Sequence, residues 1–258
     1  KGNTELKSVT VTSGIKDIGA SAFENCTSLA AISLPDTIIH IGEKAIYNTA
    51  YYNNRSNWKE KITDDSSGDL SFGNGVPQIP WEDIIASELE YLYLGTNLIE
   101  ITYSGAYSIK KETRVIADGA FSGSNAEEVT LSSQLVAIGD NAFKDCKQLK
   151  RVVFSNSIEY IGDSAFEGCI SLSEINLPDK YIEMSSSSFF NTGYYNNPEN
   201  WDGNILYLDK KVIDVSDIDP IIRIKDGVSS IVGGTLKGKE VFIPESVVNI
   251  SEDAFTDK

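Results

Sequence analysis

The sequence repeats itself with a period of 23 residues, and this constrains the fold more than any other feature. The segment 161–169, IGDSAFEGC, is a near copy of the segment 138–146, IGDNAFKDC. Further copies, some of them looser, begin at Ile18, Ile41, Ile116, Met184 and Ile250. Self-similarity at a fixed period of this size is typical of stacked repeat proteins, in which each unit contacts only its neighbours.

A short run of alternating apolar residues accompanies each copy. Examples are Leu29, Ile32 and Leu34 in one unit, and Leu149, Val152 and Phe154 in another. Alternation of this kind is the period of a strand with one buried face. Residues spaced by four, such as Ile18, Ala22 and Cys26, would share one side of a short helix or 3₁₀ turn. The pattern therefore predicts an α/β repeat solenoid with a parallel sheet of short strands.

The repeats are themselves duplicated. The block 48–58 recurs at 191–201, an offset of 143 residues, whereas Leu92-Tyr93-Leu94 recurs at 206–208, an offset of 114. The difference between these two offsets indicates one insertion, residues 59–90, which is present in the first half alone. We therefore expect a single solenoid domain over 1–258, built from about eight units of roughly 23 residues or more. The predicted units are 6–28, 29–58, 91–125, 126–148, 149–171, 172–201, 202–237 and 238–258.

Together these motifs resemble a known repeat family. The pattern Leu-x-x-Ile-x-Leu-Pro followed by Ile-Gly-x-x-Ala-Phe-x-x-Cys resembles the BspA-like leucine-rich repeats of bacterial surface and secreted proteins. The resemblance implies a right-handed leucine-rich-repeat-like coil, an extracellular or cell-surface location, and a role in adhesion. The commoner leucine-rich pattern places Asn or Cys after the strand. Here Pro35-Asp36 and Pro178-Asp179 replace it, so no asparagine ladder is expected.

The net charge of −16 and the pI near 4.4 narrow the range of partners. Nucleic acid is excluded as a partner because its phosphates would be repelled, and anionic membrane surfaces are disfavoured for the same reason. A basic protein, a neutral glycan or divalent cations remain open, and the charge could also serve only to keep an exported protein soluble. No apolar run approaches the 18 residues of a transmembrane segment. Since the chain begins at Lys1, we expect either a removed targeting segment or a fragment.

Catalysis is disfavoured by the sequence. The single histidine, His40, lies in a strand-like run at a repeat position that the sequence aligns with Lys16, Ala137 and Tyr160. Because a Ser-His-Asp or Cys-His arrangement would require this one residue, we interpret it as structural. No Gly-x-Ser-x-Gly elbow and no phosphate-binding glycine loop occurs. We therefore predict no catalytic residues, no cofactor and no metal ligands.

The cysteines share one position of the repeat. Cys26, Cys146 and Cys169 each end a copy of the motif, so we interpret them as small apolar residues that fill the same slot in the stack. Cys146 and Cys169 lie in adjacent units, but stacked side chains point the same way, which is poor geometry for a disulfide. Their spacing matches no zinc motif.

An aromatic block occurs in both halves and allows two interpretations. Tyr51, Tyr52 and Trp58 recur as Tyr194, Tyr195 and Trp201. The rings could form platforms on which sugars stack, or they could form a structural plug between units. We favour the plug, since aromatic side chains more often bury than bind.

Residues that break the repeat are better candidates for binding, because the scaffold does not require them. In the insertion, Pro80 suits the first position of a helix, and an apolar stripe follows it. This stripe could dock on the protein's own flank or contact a partner. Tyr103 and Tyr107, which have no aromatic counterparts in the second half, would add a small aromatic surface. The candidate partner-binding residues are Trp81, Ile84, Ile85, Tyr103 and Tyr107.

The sequence as a whole favours a non-enzymatic protein-binding or adhesion module of a secreted or surface-attached bacterial protein. Its partner would be a protein on a host or neighbouring cell, as the family resemblance implies. A passive spacer that displays other domains and a glycan-binding module remain as alternatives.

Overall fold

The chain folds into a solenoid whose coils contain short parallel strands. The computed structural model describes residues 1–60, 90–102, 104–216, 220–236 and 240–255. Its strands are β1 Ser8–Thr10, β2 Asp17–Ile18, β3 Ala31–Ser33, β4 His40–Ile41, β5 Trp58–Glu60, β6 Glu90–Leu94, β7 Asn97–Thr102, β8 Ser104–Ser108, β9 Val115–Ile116, β10 Asn125–Thr130, β11 Ala137–Ile138, β12 Arg151–Val153, β13 Tyr160–Ile161, β14 Trp201–Asp202, β15 Ile205–Leu208, β16 Lys211–Val215, β17 Ile221–Arg223, β18 Ser230–Ile231, β19 Glu240–Phe242 and β20 Asn249–Ile250. The predicted repeat solenoid is therefore confirmed.

Helices form only a small part of the described chain. The α-helices are α1 Ala50–Asn53 and α2 Gly193–Asn196, and the 3₁₀ segments are Arg55–Asn57, Ser186–Phe189 and Pro198–Asn200. Both α-helices begin with a threonine cap, since Thr49 and Thr192 each accept a hydrogen bond from a backbone N–H three residues later. The chain thus has the predicted α/β repeat fold, but strands form a larger part of it, and helices a smaller part, than the sequence indicated. No described helix has the length and apolar character that a membrane span requires.

Each coil places one strand in each of two lines of parallel pairing. In the first line β1 pairs with β3, β8 with β10, β10 with β12, and β17 with β19. In the second line β2 pairs with β4, β9 with β11, β11 with β13, and β18 with β20. The register follows the repeat, as in Ser8 opposite Ala31 and Glu128 opposite Arg151. The 23-residue period is therefore the length of chain that returns to the same position one coil later.

Antiparallel hairpins interrupt the stack once in each half. Strands β5, β6 and β7 pair in that order, and β14, β15 and β16 repeat the arrangement. The last strand of each hairpin then joins the parallel line, with Asn97 opposite Val115 and Lys211 opposite Ser230. The duplication that is visible in the sequence is therefore a duplication of architecture. Residues 61–89, most of the predicted insertion, lie outside the described part of the chain.

A ladder of phenylalanine rings runs through the core. The rings of Phe121, Phe143, Phe166 and Phe189 stack with centroids 4.5, 4.9 and 5.2 Å apart, and all four side chains are buried. The cysteine position lies beside this ladder, and all three thiols are free and buried. The Sγ of Cys146 donates to the carbonyl of Phe121 at 3.0 Å, one coil back. The thiols of Cys146 and Cys169 thus act as small buried donors within the stack.

The glycine of the Ile-Gly motif is required by close contact between coils. A Cβ on Gly162 would lie 2.4 Å from Oδ1 of Asp140, and one on Gly139 would lie 2.3 Å from Oδ1 of Asp118. In both cases the carboxylate of the preceding coil occupies the space that a side chain would fill. The same carboxylates bond to the next coil, since Oδ1 of Asp118 and Oδ1 of Asp140 accept from the N–H groups of Asp140 and Asp163 at 2.8 Å. The motif therefore encodes an aspartate ladder.

Candidate binding cleft

The bend that follows the second strand of each coil, here called the corner, forms its own hydrogen-bond ladder. Backbone N–H groups of one corner donate to carbonyls of the next. Phe23 donates to Ala45, Phe121 to Ala142 and Phe143 to Ala165, each at 2.7 Å. The donors occur at alternate residues, as in Ser21, Phe23 and Asn25. This is the spacing of a strand edge, although the corners are turns.

The corner ladder is broken in the first half at the junction before the coil of β9, and in the described second half it likewise does not continue from Phe189 or Asn191 to the next corner. We call the coil of β3 and β4 coil 2, and the coil of β8 and β9 coil 3. Within the described residues, one backbone hydrogen bond joins the two, from the N–H of Asp118 to the carbonyl of Ile41 at 2.9 Å. Strand β7 occupies the neighbouring position instead, and the N–H of Ile101 donates to the carbonyl of Ala120 at 3.0 Å. The inserted hairpin therefore separates the two corners.

The corresponding junction in the second half keeps a closer contact. There the N–H of Ser186 donates to the carbonyl of Gly233 at 3.0 Å, and the N–H of Gly233 donates to the carbonyl of Met184 at 3.3 Å. The pair formed by Met184 and Gly233 corresponds to the pair formed by Ile41 and Asp118. The additional Ser186 bond has no counterpart between coils 2 and 3, so the two halves differ at this point.

The break opens a cleft with a volume of about 1130 Å³. Its walls are the corner 42–47, the segment 99–101 of β7, and the stretch 117–125, with Asp140, Asn141 and Lys144 at one end. The backbone N–H groups of Lys44 and Ile46 on one wall, and that of Asn48 just beyond this wall, have no hydrogen-bond partner among the described residues. Their counterparts in the preceding coil are the donors of the corner ladder. The cleft thus presents an unused edge of regularly spaced donors.

The charged side chains that line the cleft are mostly acidic. Glu43, Glu100, Asp118 and Asp140 line it, and the lysines that line it are already paired with carboxylates. The Nζ of Lys44 lies 2.6 Å from Glu43, and the Nζ of Lys144 lies 2.9 Å from Glu167. Burial raises the pKa of Glu100 and the pKa of Asp140 above their ordinary values. The arrangement is suited to a partner with donors or positive charge.

His40 lies where the two coils meet. Its Nε2 is 3.2 Å from both carboxylate oxygens of Asp118, and its Nδ1 is 3.8 Å from Oδ1 of Asp17. The hydrogen bond with Asp118 raises the pKa of His40. Strand pairing places His40 opposite Asp17, so the sequence alignment with Lys16 was wrong by one residue. Through Asp17 and Asp118, His40 contacts the coil before its own and the coil after it.

The aromatic blocks fix the hairpins to the stack. In the first half, the hydroxyl of Tyr51 donates to the carbonyl of Tyr93 at 2.9 Å, and Nε1 of Trp58 donates to the carbonyl of Tyr52 at 2.7 Å. The second half repeats both bonds, from Tyr194 to Tyr207 at 2.7 Å and from Trp201 to Tyr195 at 2.8 Å. These contacts favour the plug interpretation over a sugar platform, since the polar atoms of the rings are engaged in the fold.

The sequence-predicted partner residues are only partly described. Trp81, Ile84, Ile85 and Tyr103 lie outside the described residues. Tyr107 is buried, with 5 % of its surface exposed, and its ring packs 5.9 Å from that of Phe121. The expectation of an exposed aromatic surface is therefore wrong for Tyr107, because β8 turns this side chain into the core. The sequence did not identify the cleft, although the lengthened spacing between the motifs at Ile41 and Ile116 marked the junction.

Solved structures of bacterial leucine-rich repeat proteins resemble the chain at low sequence identity. A leucine rich cell surface protein from Faecalibacterium prausnitzii is 18% identical, with 98% of this chain and 63% of that chain covered, at a TM-score of 0.42. A leucine-rich repeat protein from Bacteroides ovatus is also 18% identical, with 96% and 52% covered, at 0.39. The pneumococcal vaccine antigen PcpA is 17% identical, with 96% and 64% covered, at 0.39. The chain thus spans about half to two thirds of the length of these proteins.

The family is shown by sequence. No curated protein matches the chain significantly. The model of the BspA type leucine rich repeat region matches residues 2–104 and 90–204, with six copies of the repeat. This match covers most of the chain, and the coils, the parallel strands and the Ile-Gly-x-x-Ala-Phe corner are all present in the structure. The chain belongs to the BspA type leucine-rich repeat family.

Proposed function

We propose that the chain is a non-enzymatic protein-binding module of a secreted or surface-attached bacterial protein that acts in adhesion. The partner would be a protein on a host or neighbouring cell. The family supports the proposed location and adhesive role, while the cleft supports the mode of binding. The observation on which the proposal depends is the broken corner ladder between coils 2 and 3.

The partner segment would bind in an extended conformation. Donors at Lys44, Ile46 and Asn48 recur at every second residue of the sequence, as do the carbonyls along one edge of an extended peptide. Addition of a strand to an exposed edge is a common mode of peptide recognition, in which main-chain bonds supply affinity and side-chain pockets supply specificity. The acidic walls favour basic residues in the partner.

The insertion would extend this surface. It leaves the hairpin after β5 and returns to it at β6, and β7 of the same hairpin forms one wall of the cleft. Trp81, Ile84, Ile85 and Tyr103 remain proposed partner contacts. Their contribution is separable from that of the cleft by mutation.

A capture experiment tests the cleft. Ser122 is exposed and lines the cleft, so Ser122→Trp would place a bulky ring on its wall, whereas Ser133→Trp places the same side chain on an exposed loop outside the lining. The wild-type chain and both variants are immobilised and exposed to host matrix or mucus proteins. We expect Ser122→Trp to lose at least tenfold in partner capture and Ser133→Trp to retain it.

Other outcomes identify the alternatives. Equal capture by both variants would contradict binding in the cleft, and loss on deletion of 59–89 would then assign binding to the insertion. Capture of no protein by the wild-type chain would favour the passive spacer. Hits on a glycan array that Tyr103→Ala removes would favour the glycan-binding alternative.

A further inference from the structure

We propose that His40, Asp118 and Asp140 form a binding site for a divalent transition-metal ion such as Zn²⁺. Each of the three residues offers one ligand atom, and these atoms lie within 4.8 Å of one another. They form the one such group of histidine, cysteine or acidic side chains among the described residues. This site was not predicted from the sequence, in which the three residues are separated by up to a hundred positions.

The distances fit the geometry of a coordinated ion. Nε2 of His40 is 3.2 Å from each oxygen of the Asp118 carboxylate. If an ion lay about 2.1 Å from both ligand atoms, the angle between the two bonds at the ion would be about 100°. This value lies between the octahedral and tetrahedral angles. The ligand atom of Asp140 lies within 4.8 Å of the other two and would complete a set of three ligands. One imidazole and two carboxylates are ligands that Zn²⁺, Mn²⁺ and Co²⁺ accept.

The charges near the site are uncompensated by lysine or arginine. The carboxylates of Asp118 and Asp140 form no ion pair with either residue type in the described part of the chain. Asp17 adds a further carboxylate on the other side of the imidazole, 3.8 Å from Nδ1. A divalent cation would replace the proton between Nε2 of His40 and Asp118, and its second charge would offset the remaining carboxylate charge.

The surroundings already orient the ligands. Oδ1 of Asp118 accepts from the N–H of Asp140 at 2.8 Å, and Oδ1 of Asp140 accepts from the N–H of Asp163 at 2.8 Å. The hydroxyl of Tyr160 also lies 3.3 Å from Oδ1 of Asp140. Each carboxylate keeps its second oxygen outside these bonds. Metal-ligating histidines commonly face a carboxylate with their other ring nitrogen, the position that Asp17 holds here.

The ion would have access from solvent. Asp118 and Asp140 line the cleft, so the remaining coordination positions would face its interior. The second half of the molecule lacks the site, because the 143-residue offset places Glu183 at the position of His40, and Gly233 occupies the position of Asp118. The duplicated architecture therefore does not require these ligands, which favours a separate role for them.

Titration calorimetry with Zn²⁺ on the untagged, chelator-treated chain tests the site. We expect saturable binding of one ion per chain. His40→Gln and Asp118→Asn should each weaken binding at least tenfold, as is usual for loss of a ligand or of its orienting partner. Asp163→Asn, which changes the aspartate ladder outside the group, should bind within threefold of the wild type. Absence of saturable binding, or unchanged binding by His40→Gln, would overturn the proposal.

A spectroscopic measurement covers the case in which a variant fails to fold. Because His40 is the single histidine of the chain, any imidazole ligand must come from it. Cu²⁺ bound to the wild-type chain should therefore show hyperfine coupling to one imidazole nitrogen in its electron paramagnetic resonance spectrum. A spectrum with oxygen ligands alone would overturn the assignment of His40.

Discussion

The phenolic oxygen of Tyr52 lies 2.9 Å from Oε2 of Glu100, so a tyrosine of the aromatic block donates to a carboxylate of the hairpin. The second half contains the same relationship, in which the hydroxyl of Tyr195 donates to Oδ2 of Asp214 at 2.8 Å. A hydrogen bond from the aromatic block to a carboxylate of the hairpin is thus present in both halves. In the first half this carboxylate also lines the cleft.

Glu100→Gln should change the dependence of stability on pH. Burial raises the pKa of Glu100 in the folded chain, and the Tyr52 hydrogen bond opposes this shift. A carboxyl whose pKa is raised by folding favours the folded chain when it is protonated. This contribution is fully present below the unfolded pKa of about 4.3 and is lost as the pH rises through the folded pKa. Glutamine stays neutral and can still accept from Tyr52. The variant should therefore be at least as stable as wild type at pH 7, with the difference disappearing below about pH 4.

Urea unfolding followed by tryptophan fluorescence between pH 3.5 and 7.5 measures this difference. Tyr52→Phe serves as the control, because it removes the donor and keeps the carboxylate. It should lower the free energy of unfolding at neutral pH by about 1 kcal/mol, opposite in sign to Glu100→Gln. A gain for Glu100→Gln that persists at pH 3.5 would contradict the role of ionisation.

Gly162→Ala and Gly19→Ala should differ although both change the glycine of the Ile-Gly motif. The added Cβ at position 162 would lie 2.4 Å from Oδ1 and 2.5 Å from the backbone nitrogen of Asp140, whereas nothing lies within 4 Å of one at position 19. We expect the former to cost about 1–3 kcal/mol as overpacking. The latter should stay within about 0.5 kcal/mol of wild type, as surface substitutions do. If both substitutions lowered the stability equally in thermal unfolding, the requirement for glycine would come from backbone conformation and not from the contact between coils.

Tyr51→Phe and Tyr194→Phe should have similar and additive effects. Each change removes one hydroxyl that donates to a hairpin carbonyl. The loss of one hydrogen bond costs about 0.5–1.5 kcal/mol. Because the two bonds lie in different halves, the double variant should show the sum within about 0.5 kcal/mol in urea unfolding. Tyr47→Phe, at a tyrosine that is 44% exposed, provides a control with little expected effect. Marked non-additivity would indicate that the two halves do not fold their hairpins independently.

The three cysteines should be unreactive in the folded chain. All three thiols are free and buried, and the hydrogen bond with Cys146 together with burial raises the pKa of Cys169. The raised pKa reduces the thiolate fraction, the reactive form, for Cys169. The same hydrogen bond lowers the pKa of Cys146, so the expectation for all three thiols depends on their burial. Ellman's reagent at pH 8 should therefore label no thiol in buffer and all three in denaturant without reductant. A single thiol in denaturant would show that two of the three cysteines are joined in a disulfide.

The sequence predicted the regular features of the fold because they repeat. The strand alternation around Val152, the phenylalanine at position 143 and the shared slot of Cys146 and Cys169 each recur at the period of a coil. A residue that recurs in this way has the same neighbours in every coil, so one interpretation serves all copies. The family and the solenoid follow from this regularity.

The cleft could not be predicted because it arises where the regularity stops. Its existence depends on β7 taking the position beside coil 3 that a regular coil would otherwise fill. The approach of His40 to Asp118 has the same cause, since coils 2 and 3 are adjacent in space but separated by the hairpin in the chain. Burial of Tyr107 likewise depends on the direction in which β8 leaves the hairpin. A break in the repeat shows where in the sequence an irregular feature lies, but the structure is needed to show the shape of that feature.

The single backbone bond between Asp118 and Ile41 has a mechanical consequence. A stack of coils resists bending because hydrogen-bond ladders on several sides must all be stretched or sheared together. At the junction of coils 2 and 3 the corner ladder is missing, so we expect this junction to bend more readily than a junction of regularly stacked coils. A force applied across the molecule would open this joint before it separated any pair of regularly stacked coils. A ligand that bridged the two sides of the joint would stiffen it, so occupancy of one small site would alter how the whole rod transmits load.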